Sequence, residues 1–230
     1  MLRWAIVLLT ACLCSTATFA APKDIHSTYR IFRNGILIGQ VHEHFSNRGD
    51  SYKIVSESRS DGALNWFVRD KLTITSEGRI TPAGLLPLKY EFSRASDGSK
   101  AIVSTFNWEK NLLTTEHDGK QEKIALQYGT QDRLSIMYQF MFAMPRTAEV
   151  KVWMTNGRKV EQYIYRKQSD VVLKTLAGDF EAVNYARDAK PEEDKAQLWL
   201  AKDKFFLPVR IIFQDRNGTQ EQAIVTLSAQ

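Results

Sequence analysis

Leu207-Pro208-Val209-Arg210-Ile211-Ile212-Phe213-Gln214-Asp215-Arg216-Asn217-Gly218-Thr219-Gln220-Glu221-Gln222-Ala223-Ile224-Val225-Thr226-Leu227 is the stretch that decides the fold. Val209, Ile211 and Phe213 alternate with Arg210, Ile212 and Gln214, and Ala223, Val225 and Leu227 recur at the same spacing. Successive side chains of a strand point to opposite faces, so a period of two marks a strand with one face on a core. Asn217-Gly218 lies between the two runs and tolerates the positive φ that a tight hairpin requires.

The same grammar repeats outward from there. Val150, Val152 and Met154 alternate with Lys151, Trp153 and Thr155. Turn signals recur at Asn34-Gly35, Arg48-Gly49-Asp50, Glu77-Gly78, Asp97-Gly98, Asp118-Gly119, Asn156-Gly157 and Ala177-Gly178-Asp179. The expected product is a mainly β protein. It is a long antiparallel meander, curled into a barrel or an open half-barrel, forming one domain over residues 21–230. Asp188 to Lys195 reads as a charged, solvated loop between strands at Asp179–Arg187 and Ala196–Ala201. Lys202-Asp203-Lys204 reads as the next turn, and Phe205 to Arg210 as the start of a further strand.

One segment breaks the pattern. Between Asp132 and Met144, apolar residues recur at Leu134, Met137, Tyr138 and Met141, and again at Ile136, Phe140 and Met144. That is helical spacing. The Asp132 carboxylate can accept the free amides of the first turn, and Pro145 stops the helix. A helix this apolar among strands is expected to be buried against the sheet, plugging the concave side of the curl. Met137, Met141 and Met144 read as core filler or as the adaptable wall of an apolar pocket.

The first residues have the order of a secretory signal peptide over residues 1–20: Arg3, an apolar run Trp4 to Leu9, then small residues ending Thr18-Phe19-Ala20. Cleavage after Ala20 places the mature chain in the periplasm. A competing reading takes Leu9-Thr10-Ala11-Cys12 as a lipidation motif, anchoring the chain through Cys12. Both cysteines, Cys12 and Cys14, precede Ala20, so the chain cleaved there has no disulfide and no thiolate chemistry. The formal charge of +5 falls to +4 when Arg3 is lost, and basic residues are interspersed with acidic ones. Nucleic-acid binding requires a concentrated basic face and is not expected. No cofactor is expected either, because no Gly-rich phosphate loop occurs.

Several segments together resemble a known family. They are Gly35 and Gly39 around Ile36 and Ile38; Asp132-Arg133-Leu134-Ser135-Ile136-Met137-Tyr138; Gly178-Asp179-Phe180-Glu181-Ala182; Trp199-Leu200; and Leu207-Pro208-Val209-Arg210. In this order they resemble a family of exported bacterial proteins catalogued as domain of unknown function 3108, over most of the mature chain. The resemblance implies an exported, β-rich protein and no particular activity. In shape alone the expected architecture is also similar to periplasmic lipoprotein carriers, whose open half-barrel cups acyl chains under helices. Fold does not by itself assign function.

Candidate chemistry is sparse. His42 and His44 share a strand face about 7 Å apart and could supply two ligands of a divalent metal, while Glu43 points the other way. His117 beside Glu116 is a further candidate. Asp132 and Ser135 read as a helix cap and a first-turn serine rather than a catalytic pair, since no base or nucleophile elbow accompanies them. The tryptophans, with Trp66-Phe67 among them, read as packing. The function expected is a non-enzymatic envelope protein that binds a lipid-like, apolar or amphipathic ligand in the concavity. Leu134, Met137, Tyr138, Met141 and Met144 would form its wall, with Arg133 and Arg210 at an anionic head group. The alternative is a structural or partner-binding module of an envelope complex, and a hydrolytic or metal-dependent enzyme is the third reading.

Overall fold

The computed structural model describes residues 22–60, 71–144, 147–189 and 193–230. The leader with Cys12, the Trp66-Phe67 pair, Pro145 and the centre of the Asp188–Lys195 loop lie outside these residues.

Among the described residues, fifteen strands form a single sheet. β1 (Asp24–Arg33), β2 (Ile36–Asn47), β3 (Ser51–Ser60), β4 (Lys71–Thr81) and β5 (Gly84–Arg94) follow one another as antiparallel neighbours. β6 (Ile102–Asn107), β7 (Leu112–His117) and β8 (Lys120–Ala125) continue them to one edge. The opposite edge starts at β9 (Gln131–Asp132), which pairs in parallel with β10 (Glu149–Thr155). β11 (Val160–Thr175), β12 (Gly178–Arg187), β13 (Lys195–Ala201), β14 (Leu207–Asp215) and β15 (Gly218–Ala229) return to β1. The β1–β15 pair joins the two runs. Lys23 N donates to Gln230 O at 2.7 Å and Gln230 N to Asp24 O at 2.9 Å. The expected meander is therefore present, and the sheet stays open rather than closing into a barrel, with β8 and β9 as its edges.

Most expected turns fall where Gly supplies a positive φ. Asn34-Gly35 has φ of +50° and +81°, and Asp118-Gly119 has +51° and +70°. Both match the two-residue hairpin geometry that Asn-Gly and Asp-Gly favour. Glu77-Gly78 is a correction: it lies inside β4, at a bulge opposite Pro87. A Cβ at Gly78 would strike the backbone of Leu86, so this glycine serves close approach rather than a turn. A second correction concerns Phe205 and Phe206, which lie in the turn before β14, with φ of +56° and +57°. A third concerns β15. A bulge opposite Thr28/Tyr29 shifts its face, so Ile224 is buried and both Ile224 and Leu227 pack into one core cluster.

The core lies in register across the sheet. Ile25, Phe45, Ile54, Ser76, Tyr90, Ser104 and Thr115 are successive cross-strand partners from β1 to β7, and all are buried. Helix α1 (Ser135–Phe142) fills the space above this row. Its Leu134 and Tyr138 side packs with Ile25, Phe45 and Ile54, and its Ile136 and Phe140 side with Tyr165, Val183, Leu198 and Ile211. Tyr138 stacks on Phe45 at 5.1 Å between ring centres. Each such side chain buried contributes roughly 1.5–3 kcal/mol, so one short helix joins the two halves of the sheet into one core. Among the described residues no helix is long and apolar enough to cross a membrane.

Candidate functional site

The segment joining β8 to β9 must pass from one edge of the sheet to the other. Its ends, Leu126 and Thr130, are buried, as are Gln131 and Asp132 of β9, while Gln127 and Tyr128 between them are exposed. Buried backbone needs partners. Leu126 N donates to Asn111 O, Thr130 N to Gln127 O, and the Gln131 amide donates to Leu85 O at 2.9 Å. Gln139 on α1 holds the same strand start. Its Oε1 accepts from Leu85 N at 2.7 Å and its Nε2 donates to Ala83 O at 3.1 Å. Gly84, with φ +104°, leaves the room that Gln139 occupies.

Asp132 is fully buried and caps the turn that leads into the helix, whose first residue is Ser135. Its carboxylate accepts from Leu134 N at 2.8 Å, Ser135 N at 2.7 Å and Ser76 Oγ at 2.5 Å. Ser135 Oγ reciprocates by accepting from Asp132 N at 2.9 Å, the exchange of a capping box. Ser76 Oγ also lies 3.1 Å from Tyr52 Oη. A second carboxylate, Glu43, faces the interior from β2. It accepts from Tyr138 Oη at 2.9 Å and from Ser56 Oγ at 3.2 Å. Burial raises the pKa of both carboxyls, and their hydrogen bonds oppose that rise only partly. The Tyr138 hydroxyl is raised too, by burial first and by the nearby Glu43 charge second.

The helix residues expected to wall a pocket divide. Leu134, Met137, Tyr138 and Met141 meet in one cluster at the core, whereas Arg133 and Met144 are exposed. Arg133 is not bonded to Asp132, whose oxygens are taken by Ser76 and the helix amides. His42 and His44 do share the face opposite Glu43. His42 Nδ1 lies 3.2 Å from Thr28 Oγ1, and His44 Nε2 lies 2.9 Å from Asp24 Oδ1 while its ring stacks on His26. His117 lies between Asp118 and Glu122. Among the described residues no three metal-ligating side chains converge.

Arg210 belongs to a different place. A groove of about 440 Å³ opens between the tip of the β11–β12 hairpin, Leu173 to Leu176, and the surface of β1, β15 and β14. Phe32, Leu173, Leu176 and Val225 give it apolar walls, and Arg30, Lys174 and Arg210 give it cations against the single carboxylate Glu221. Register explains the cluster. Arg30, Ala223, Arg210 and Trp199 are successive partners across β1, β15, β14 and β13. Arg210 Nε lies 2.8 Å from Glu221 Oε1, and its guanidinium sits 5.1 Å above the Trp199 ring. Arg30 and Lys174 have no ion-pair partner among the described residues. Sequence reading missed Arg30, Phe32 and Lys174, because only the pairing of the first strand with the last places the first two beside Arg210, and only the lie of the β11–β12 hairpin brings Lys174 there.

Comparisons with known proteins give a family and a likeness of fold. The model of a family described as a protein of unknown function, DUF3108, matches residues 28–225. The crystal structure of a β-barrel-like protein of the DUF1849 domain of unknown function from Brucella abortus is similar over 92% of this chain and 99% of its own. The TM-score is 0.60 at 9% identity, a likeness of fold alone. A protein with a YmcC-like fold from Bacteroides fragilis matches with a TM-score of 0.34 at 9% identity, over 90% of this chain and 96% of its own. No curated protein sequence matches.

Proposed function

We propose that this chain, which belongs to the DUF3108 family of proteins of unknown function, is a non-enzymatic envelope protein that binds a small amphipathic ligand in the groove beneath the β11–β12 hairpin. The observation that carries the reading is the lining: aliphatic and aromatic walls with three cations and one carboxylate at the same opening. Ligand sites commonly combine an apolar surface with a few fixed polar groups, and 440 Å³ lies toward the lower end of their roughly 300–1,000 Å³ range. The leader order Arg3, Trp4–Leu9 and Thr18-Phe19-Ala20 supports a periplasmic site of action.

The helix region supports this placing of the ligand by being full. Leu134, Ile136, Tyr138 and Phe140 are each at most 4% exposed, so the inside of the curl is protein core. One of the two strand edges that a partner-binding module could use is blunted as well. β8 exposes Lys120, Gln121, Glu122 and Lys123 in succession, a charged edge that resists addition of another strand.

Native mass spectrometry of the full chain, isolated gently from the cells that make it and followed by solvent extraction, tests the proposal. A bound mass that extracts as a lipid or other amphiphile, and is lost in Leu173→Asp, is the expected result. A ligand-free mass, under conditions where a reference lipid carrier keeps its cargo, would overturn it.

A further inference from the structure

We infer that Arg30 and Arg210 form a two-pronged site for a phosphoryl head group, centred over Ala223; the inference rests on the groove being the ligand site. Three observations converge on it. The first is spacing. Arg30 and Arg210 lie in one register row, separated only by Ala223 on β15. Strands two apart place the backbones about 10 Å from one another, so two long guanidinium side chains can close on one group between them. Ala223, the smallest side chain able to mark that row, leaves the floor between them open.

The second observation is that one prong is already oriented and the other is unsatisfied. Glu221 pairs in charge with Arg210, 2.8 Å from its Nε though without hydrogen-bond geometry, and Trp199 supports its plane. The terminal nitrogens of Arg210 are thereby presented in a fixed plane suited to paired oxygens. Arg30 is half-buried, yet no carboxylate of the described residues pairs with it. A partly desolvated cation without a counter-ion is costly, and an anionic ligand would remove that cost.

The third observation is charge. Arg30, Lys174 and Arg210 carry three positive charges against the one negative charge of Glu221, which leaves a net of two. A phosphate monoester, close to a dianion above pH 7, balances that; a carboxylate balances half of it, and a hydroxyl none. Phosphate also offers three oxygens to the two forks, where a carboxylate offers two.

Calorimetric titration of the full chain at pH 8 with dodecyl phosphate, dodecanoate, dodecanol and inorganic phosphate tests the inference. Dodecyl phosphate is expected to bind tightest, ahead of dodecanoate and then dodecanol by about tenfold at each step, as charge-assisted hydrogen bonds imply. Arg30→Gln should remove about tenfold from dodecyl phosphate and leave dodecanol unchanged, while Arg30→Lys restores part of the loss. Equal binding of the three dodecyl probes would overturn the head-group assignment and leave the groove standing. So would an Arg30→Gln variant that weakens dodecanol and dodecyl phosphate alike. If none of the dodecyl probes binds, the amphiphile reading of the groove falls, and the inference with it; if inorganic phosphate binds as tightly as dodecyl phosphate, the amphiphile reading falls while the phosphoryl site stands.

Discussion

The polar groups around α1 and those in the groove beneath the β11–β12 hairpin follow opposite rules. Near the helix, Asp132 is fully buried and meets three donors, and Glu43 meets two. In the groove, Arg30 and Lys174 meet no carboxylate among the described residues, and Leu176 stands 67% exposed beside them. Satisfied buried polar groups specify one packing arrangement, because any alternative leaves them unpaired. Unsatisfied groups at an opening are what a ligand can complete. The difference separates the part of the molecule that maintains the fold from the part offered to a partner molecule.

The comparison breaks if interior substitutions alter ligand affinity in protein that remains folded, or if groove substitutions unfold the chain. The largest effect is expected from Asp132→Ala. It strands the Leu134 and Ser135 amides away from water and leaves Ser76 Oγ with Tyr52 alone, and urea denaturation should show a loss of about 3–5 kcal/mol. Tyr138→Phe removes the stronger of the two hydrogen bonds to Glu43 while keeping the stacking on Phe45. It should cost about 1–2 kcal/mol, more at pH 8 than at pH 5, because the ionised carboxylate needs that donor most.

Glu43→Gln sharpens the contrast through its sign. Burial raises the pKa of Glu43, so the native state binds a proton more tightly than the unfolded chain does. Its contribution is therefore most favourable below the unfolded-state pKa and declines as pH rises through the folded one. Removing the charge should stabilise the protein by about 1 kcal/mol at pH 8, with the gain vanishing near pH 4, read as the difference in thermal midpoint between variant and parent. The smallest effect on stability belongs to Arg30→Gln. Its unfolding free energy should stay within about 0.5 kcal/mol of the parent, although the affinity for dodecyl phosphate falls. A large loss of stability there would mean that Arg30 serves the fold.

Particular elements show how much was legible beforehand. The hairpins at Asn34-Gly35 and Asp118-Gly119 could be read directly, because a positive φ at two adjacent positions is a local demand met by local residue choice. The helix and its Asp132 cap could be read for the same reason, since spacing and capping act within one turn. Gly78 misled because a glycine demanded by a neighbouring strand looks the same as one demanded by a turn. Of the candidate site, Arg210 was visible as a charged residue on a strand, but its companions were not. Arg30 lies 180 residues earlier, and nothing local marks it as a neighbour. Glu43 was correctly separated from His42 and His44 by period-two geometry, yet its meeting with Tyr138, 95 residues away, carries no local signature.

The sequence by itself determined the alphabet of the fold: strands of period two, turns at Asn-Gly and Asp-Gly, and one capped apolar helix. These follow from backbone sterics and from the alternation of apolar and polar side chains over a few residues. Only the tertiary structure decided that the first strand pairs with the last, that the sheet stays open between β8 and β9, and that the buried helix packs into core on both of its sides. Those outcomes depend on contacts between distant residues, whose energies are settled by the packing of the whole chain. The groove is one of them: it exists because β1, β14 and β15 meet beneath the β11–β12 hairpin, and no single segment contains it.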